Sequence, residues 1–333
     1  MEKFIIILLL IINIILILKK NMTQKNSIIH EKEKPLKEKI NYDEIIRYKE
    51  FLKLYIEDRE KFYKKGREYL LKKRGEVYNE SNLITFQDKL NYLLIHESPE
   101  NKTEIVDKIL LRNYSQKILG IDICPPILKI YNNVDEINLD ELPNTFVLKC
   151  NHGSGMNIIC SNKSKFNLPR AKKKIKSWMY SNYGLANFEY QYINVKKRIF
   201  AEKFLVKEMI NYKFYCFNGI PKIVRVKGHI NRKNIYNIYH INWTLADIEF
   251  NFSYYFRDKS NSFKKPKNYE KMLNYSRLLS SKFCFCRVDF YEVEDIVYLS
   301  ELTFTPFNMY IKYKKKEMEI YLGSLIDITK INK

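Results

Sequence analysis

Glycine and proline are scarce, nine of each in 333 residues. That excludes collagen-like repeats and linker-dominated chains. Cysteine is confined to positions 124, 150, 160, 216, 284 and 286, with no CxxC pair and no cysteine–histidine cluster. Structural zinc needs four converging ligands, and none converge here, so reduced, buried thiols are expected. Acidic residues are outnumbered, 38 Asp and Glu against 59 Lys and Arg, for a formal net charge of +21. An excess of this size calls for an anionic partner: nucleic acid, phosphorylated metabolite, anionic polymer or lipid surface. The crowding of Ile, Asn, Lys and Tyr gives it a second source in AT-rich coding, and nucleic acid is not the expected partner. No internal repeat is present. What is abundant is apolar surface, at 46% hydrophobic and 14% aromatic residues. That excludes a disordered chain, and a chain of this length needs no disulfide or zinc staple.

Residues 4–18 are apolar except Asn13, with Lys3 before them and Lys19 and Lys20 after. The run spans roughly 22 Å as a helix, short of a ~30 Å hydrocarbon layer, and snorkelling lysines extend it. A cleaved signal peptide should end in small residues, but KKNMTQKNS follows. An uncleaved single-pass anchor over 1–20 is therefore expected. Lys19, Lys20 and Lys25 make the charge denser after the run, which places residues 19–333 in the cytoplasm, at the inner membrane. Residues 21–41 read as a polar linker.

Helical spacing covers 42–76, where Ile45, Tyr48, Leu52 and Tyr55 recur at three- and four-residue steps. Helices are also expected over 86–95, 103–118, 168–180 and 267–282. Compact apolar strands are FVLKC (146–150) and NIIC (157–160), joined through Asn151-His152-Gly153-Ser154-Gly155 as a hairpin. Residues 198–205, 212–228 and 285–304 are strand-rich, with Asn218-Gly219 as a hairpin turn. Strands alternating with helices, with hairpins among them, give an α+β or α/β enzyme.

Three stretches bear chemistry. Lys149 ends a buried strand before a turn with Gly153 and Gly155, so a cation and bare backbone N–H groups stand together where an anion could be cradled. It is neither a Walker loop nor a dinucleotide fingerprint, and taken alone it reads as an ordinary hairpin. Asp289 and Glu301 sit near the ends of two apolar strands joined by Glu294-Asp295. Antiparallel pairing brings them side by side, and with Thr303 they would suit Mg²⁺; a solvated hairpin with acidic rims is the other reading. Glu202, Lys203 and Leu205 leave a strand where an adenine slot could form, which alone is no signal. The run Arg170 to Lys174 is a solvated helix face, or a contact for an acidic polymer or anionic leaflet. His30 and His96 read as surface residues, Trp178 and Trp243 as packing anchors.

Taken in order, these pieces resemble the ATP-grasp superfamily, and more closely its TupA-like (teichuronopeptide-biosynthesis-like) family. The stretches that carry the likeness are DELPNTFVLKCNHGSGMNIIC, YKFYCFNGIPKIVRV, FCRVDFYEVEDIVYLSELTFTP, KLNYLLIH and VDKILLRNYSQKILG, spanning roughly 80–325. The resemblance implies an α+β ATP-grasp fold of two lobes gripping ATP, over 121–200 and 201–330, after a helical region at 42–120. It implies that Lys149 and Arg112 contact phosphates and that His152, Gly153, Ser154 and Gly155 form a lid over them. Glu202, Lys203 and Leu205 would line the adenine. Lys213 would reach the terminal phosphate beside Arg225, and Asp289, Glu301 and Thr303 would bind Mg²⁺. Related enzymes join a carboxylate to an amine through an acyl phosphate. A carboxylate-bearing acceptor, such as a lipid-linked glycan, and an amine donor are then the expected substrates, in cell-envelope polysaccharide modification. An ATP-grasp kinase, a glycosyltransferase and a non-catalytic scaffold are the alternatives. The chain departs from the family pattern at Phe307-Asn308-Met309, where a glycine-containing loop is expected. It departs also at Ile230 and Tyr236, where basic residues are expected, and at Asn211, where Asp is.

Overall fold

The computed structural model describes residues 53–331, apart from 74, 207–208, 231–232, 252–254, 259 and 261–262. The anchor expected over 1–20, the linker to 41 and the start of the helical region lie outside the described residues. Among those described, no helix is long and apolar enough to cross a membrane.

Helices come first: α1 (Arg59–Lys73), α2 (Phe86–His96), α3 (Glu100–Val106) and α4 (Leu111–Leu119). Local chemistry sets where they start. Asp58 interrupts the helical period expected across 42–76, and its Oδ1 accepts the Lys61 amide at 3.0 Å. Thr85 and Asp88 form a capping box at the head of α2. The single helix expected over 103–118 is two helices instead. Asp107 breaks it by turning its Oδ1 to the amides of Ile109 and Leu110, at 2.8 and 3.3 Å.

A four-stranded antiparallel sheet follows, with β1 (Ile127–Tyr131), β2 (Phe146–Cys150), β3 (Asn157–Cys160) and β4 (Ile199–Lys203) in the order β1-β4-β2-β3. Between β3 and β4 run α5 (Leu168–Tyr180) and α6 (Tyr183–Asn187). Ile175 of α5 packs with Phe146, Leu148, Cys150, Ile199 and Ala201 on one face of the sheet. Register puts Val147, Lys149, Ile159 and Glu202 together on the other face.

The second sheet holds β5 (Asn211–Phe217), β6 (Ile220–Ile230), β7 (Lys233–His240), β8 (Phe256–Arg257), β9 (Phe285–Val293) and β10 (Ile296–Thr303), in the order β10-β9-β5-β6-β7-β8. Two hairpin turns are left-handed at both central residues, Asn218-Gly219 and Glu294-Asp295, as the strand twist requires. One face of this sheet buries Phe214, Val224, Val288, Phe290 and Leu299 against Met272 and Leu279 of α7 (Tyr269–Ser280). The opposite face is apolar at one end. There Tyr215, Phe217 and Phe285 meet Phe86, Leu90 and Leu94 of α2 and Leu322 of α8 (Lys316–Ser324). The rest of that face is polar. All six cysteines are free and buried.

Candidate active site

The polar part of the second sheet is a row of charges in register. Arg225 on β6 lies opposite Lys213 on β5, Lys213 lies opposite Asp289 on β9, and Asp289 lies opposite Glu301 on β10. Directly opposite residues in antiparallel strands point to the same side, so all four share one face. Strict alternation along β10 would not do this. Val297 and Leu299 face the core, and Glu301 would follow them. A register shift between Leu299 and Glu301 inserts Ser300 and turns Glu301 to the polar face. Ser300 donates to the Tyr291 hydroxyl at 2.9 Å.

Arg287 locks this row. It donates from Nε to Asp289 Oδ1 at 2.6 Å and from Nη2 to Asp289 Oδ2 at 2.7 Å. The same Nη2 reaches Glu301 Oε1 at 2.9 Å and Thr303 Oγ1 at 3.0 Å. Lys213 also bonds Asp289 Oδ2. Burial, then the nearby Arg287 charge, lowers the Lys213 ammonium to about 8, against the pull of Asp289 and Glu301. Burial would raise the Glu301 carboxyl, but Lys213, Arg287 and Lys108 outweigh it and hold the group below the usual carboxylate range.

Facing the row is the turn after β2. Asn151 is fully buried and braces the turn. Its side chain donates to Asp107 Oδ2 at 2.7 Å and to the Lys196 carbonyl at 2.9 Å. Gly155 is left-handed, with φ 72°. At Gly153 a β-carbon would lie 2.7 Å from the Tyr183 ring. Lys149 pairs with Glu202 across β2 and β4. Lys108 donates to the Gly153 carbonyl at 2.5 Å, and burial lowers its ammonium. Arg112 is held by the Pro125 carbonyl at 2.7 Å and by Asp122 at 2.5 Å.

These elements close a cavity of about 180 Å³ lined by four cationic side chains, Lys108, Arg112, Lys149 and Lys213, with Glu202 and Glu301. Ser154 and Gly155 complete its wall. Of the residues singled out in the sequence, Arg112, Lys149, Ser154, Gly155, Glu202, Lys213 and Glu301 thus converge. Others do not line the cavity. His152, expected over the phosphates, is turned away: it is 1% exposed, its Nε2 lies 3.1 Å from the Trp178 carbonyl, and burial lowers it to about 4. Gly153 contributes its carbonyl, to Lys108. Lys203 is exposed and Leu205 half-buried at the end of β4. Asp289 is 1% exposed, beneath Lys213 and Arg287. Thr303 bonds Arg287 and Glu301 just outside. Arg225 is buried among the Phe307, Tyr255, Phe250 and Tyr236 rings, 4.6–5.9 Å from their centroids. Ile230 lies at the end of β6, and Tyr236 is one wall of that aromatic cage. Sequence reasoning passed over Lys108 and Arg287. Arg287 stands two residues before Asp289 on one strand and so had to share its face.

Among the described residues no three His, Cys, Asp or Glu side chains form a metal cage. Glu301, Asp289 and Thr303 nevertheless form a set of hard oxygen donors. Two carboxylates are what Mg²⁺ takes when nucleotide phosphates and water supply its other ligands. The residues present therefore fit Mg²⁺ bound with a nucleotide, with Glu301 the accessible ligand.

Two sheets facing each other across a cation-lined cavity, a glycine turn on one and carboxylates on the other, make an ATP-grasp protein. The chain belongs to the TupA-like ATP-grasp family, whose model matches residues 88–327. Comparison with curated proteins finds no match. Among solved structures, the chain is similar to the D-alanine–D-alanine ligase of Helicobacter pylori, at 19% identity and a TM-score of 0.36, over 67% of this chain and 61% of that one. It is similar to the Bacillus anthracis D-alanine–D-alanine ligase complexed with ATP, at 15% identity and a TM-score of 0.40, over 68% and 65%. It is similar also to an L-amino acid ligase of Bacillus licheniformis, at 11% identity and a TM-score of 0.37, over 61% and 43%. The chain spans less than two thirds of the length of each.

Proposed function

We propose that this chain is an ATP-dependent carboxylate–amine ligase. The observation that carries the reading is the in-register row Arg225–Lys213–Asp289–Glu301, whose Lys213 and Glu301 face Lys149 and the Gly155 turn across one cavity. Four cations there neutralise a polyphosphate, and Glu301 and Asp289 supply metal oxygens. The enclosed volume of about 180 Å³ takes the phosphate end. The adenine lies outside it, on the apolar face that Val147 and the 57%-exposed Ile159 share with Lys149, near Leu205.

An oxygen of the acceptor carboxylate attacks the terminal phosphorus of ATP. The bond from that phosphorus to the bridging oxygen breaks, and ADP leaves. The amine nitrogen then attacks the acyl carbon, inorganic phosphate departs and the nitrogen loses a proton. Lys149 and Arg112 hold the inner phosphates, Lys213 follows the transferred phosphoryl group, and Arg225 stands at the acceptor end. Mg²⁺, when bound, neutralises charge on the phosphate oxygens. The rest of the catalysis is alignment and charge stabilisation by these side chains. The acceptor is a carboxylate on a cell-envelope glycan precursor. The apolar segment 4–18 anchors the chain at the inner membrane, with the catalytic part cytoplasmic and close to a lipid-linked substrate.

The test is ADP release by the full chain from MgATP, with a panel of uronic and amino acids as carboxylates and hydroxylamine as amine. Carboxylate-dependent hydroxamate formation, lost in Lys149→Met and Glu301→Gln, is the expected result. ATP consumption with phosphate transfer to a hydroxyl would make it a kinase. No ATP binding by folded protein would end the reading.

A further inference from the structure

The turn after β10 is built against its own sequence. Phe307, Asn308 and Met309 are all left-handed, with φ 56°, 52° and 54°. A side chain disfavours that region, and three such residues in succession need outside support. Two buried charged side chains provide it. Arg67 of α1 is 0% exposed. It donates from Nη1 to Asn308 Oδ1 at 3.3 Å and from Nε to Asn91 Oδ1 at 2.8 Å. Glu189 is 5% exposed and accepts hydrogen bonds from the Thr305 hydroxyl and, at 2.8 Å, from the Tyr183 hydroxyl. Gln191 Nε2 donates to Thr305 Oγ1 at 2.8 Å, and Asn308 Nδ2 donates to the Asn187 carbonyl at 2.9 Å. Burial raises the Glu189 carboxyl, and its two hydroxyl donors and the Arg67 charge oppose this. On its far side the same turn sets the Phe307 ring 4.6 Å from the Arg225 guanidinium. Arg67 lies outside residues 88–327, so helix α1 braces this turn from outside the residues that the family model matches.

We propose that Arg67 and Glu189 are positioning residues that clamp the left-handed turn 305–309 and so hold the Phe307 ring against Arg225, at the acceptor end of the site. The acceptor half of this statement rests on the ligase reading; the clamp itself does not. The test is hydrogen exchange of the full chain by mass spectrometry, with a methylanthraniloyl-ATP probe for nucleotide affinity. Arg67→Met is expected to raise exchange in 305–310 about tenfold while leaving probe affinity within about twofold, Asn308→Ala also to raise it, and the double variant to lose less than the sum of the two singles. With a carboxylate active in ADP release, both variants raise its KM about tenfold and change kcat far less. Unchanged exchange in Arg67→Met, or additive effects in the double variant, overturns the proposal. If Arg67→Met does not fold, Thr305→Val decides. It removes the hydroxyl that bonds Glu189 and Gln191 while keeping the shape, so exchange in 305–310 should rise, and unchanged exchange overturns the clamp. Failure of every carboxylate would remove the ligase reading and leave the exchange result standing.

Discussion

Lys213 and Asp289 stand directly opposite each other on β5 and β9, and the ammonium of the first bonds Oδ2 of the second. Arg287 grips the same carboxylate with two donors. Asp289 is therefore shared by two cations deep in the sheet, while Glu301 faces the cavity. The row behaves as one electrostatic unit, and changes to its members should not be equivalent.

The Lys213 ammonium loses its proton at about 8 instead of the ordinary 10.5. A charged Lys213 at the terminal phosphate gives kcat/KM a basic limb, falling as pH rises through about 8. Lys213→Arg should remove the limb. Stability runs the other way. Between about 8 and 10.5 the unfolded chain binds more protons than the folded one, so folding strengthens as pH rises. The buried cysteine thiols, raised by burial, pull the net dependence the other way, so the check is a difference: urea midpoints of wild type measured against Lys213→Met should gain across that window.

Glu301→Gln should lower turnover about a hundredfold and raise the Mg²⁺ concentration it needs, because the accessible metal oxygen is gone. It should also change acid unfolding. The Glu301 carboxyl is held below its unfolded value, so its stabilisation is complete above about 4.3, declines as pH falls below that, and is gone once pH has fallen through the lower, folded value. The variant should lack that part of the acid limb in pH-dependent urea titrations.

Asp289→Asn leaves Arg287 with Glu301 and Thr303 but removes its two-pronged partner. A guanidinium stripped of its main counter-charge in a buried site should cost about 3 kcal/mol, read as a lower urea midpoint. A loss under about 1 kcal/mol would mean Glu301 alone satisfies Arg287.

The two glycines of the turn fail differently. Alanine at Gly155 meets open space but keeps φ 72°, for a loss of about 1 kcal/mol. Alanine at Gly153 collides with the Tyr183 ring, which is tethered to Glu189 at 2.8 Å, so the loss should be about 2–3 kcal/mol. Thermal melts of the two variants settle the order.

Much of the local architecture was legible in the residues. The strands at 146–150 and 157–160, the Asn218-Gly219 turn, the hairpin over 285–303 and the helix over 168–180 all follow from alternation, turn chemistry and apolar period. Lys149 and the glycine turn were legible for the same reason: a cation ending an apolar strand has few places to point. The break at Asp107 was not, because a helical period continues across it and only the side-chain capping of Ile109 and Leu110 ends the helix. His152 looked like part of a phosphate lid from its place beside two glycines, yet its ring packs inward toward Trp178.

By itself the sequence determined the elements, the family-like order of the motifs and which strands carry the lysines and carboxylates, since these depend on neighbours within a few residues. Tertiary structure decided what those side chains face. The bulge at Ser300 turns Glu301 from the core side to the polar side, and no alternation rule foretells it. Register between strands far apart in the chain lines up Arg225, Lys213, Asp289 and Glu301. Burial then sets their proton affinities. Arg67 reaches Asn308 across 241 residues of sequence, a contact that only packing of α1 against the rest of the fold can bring about.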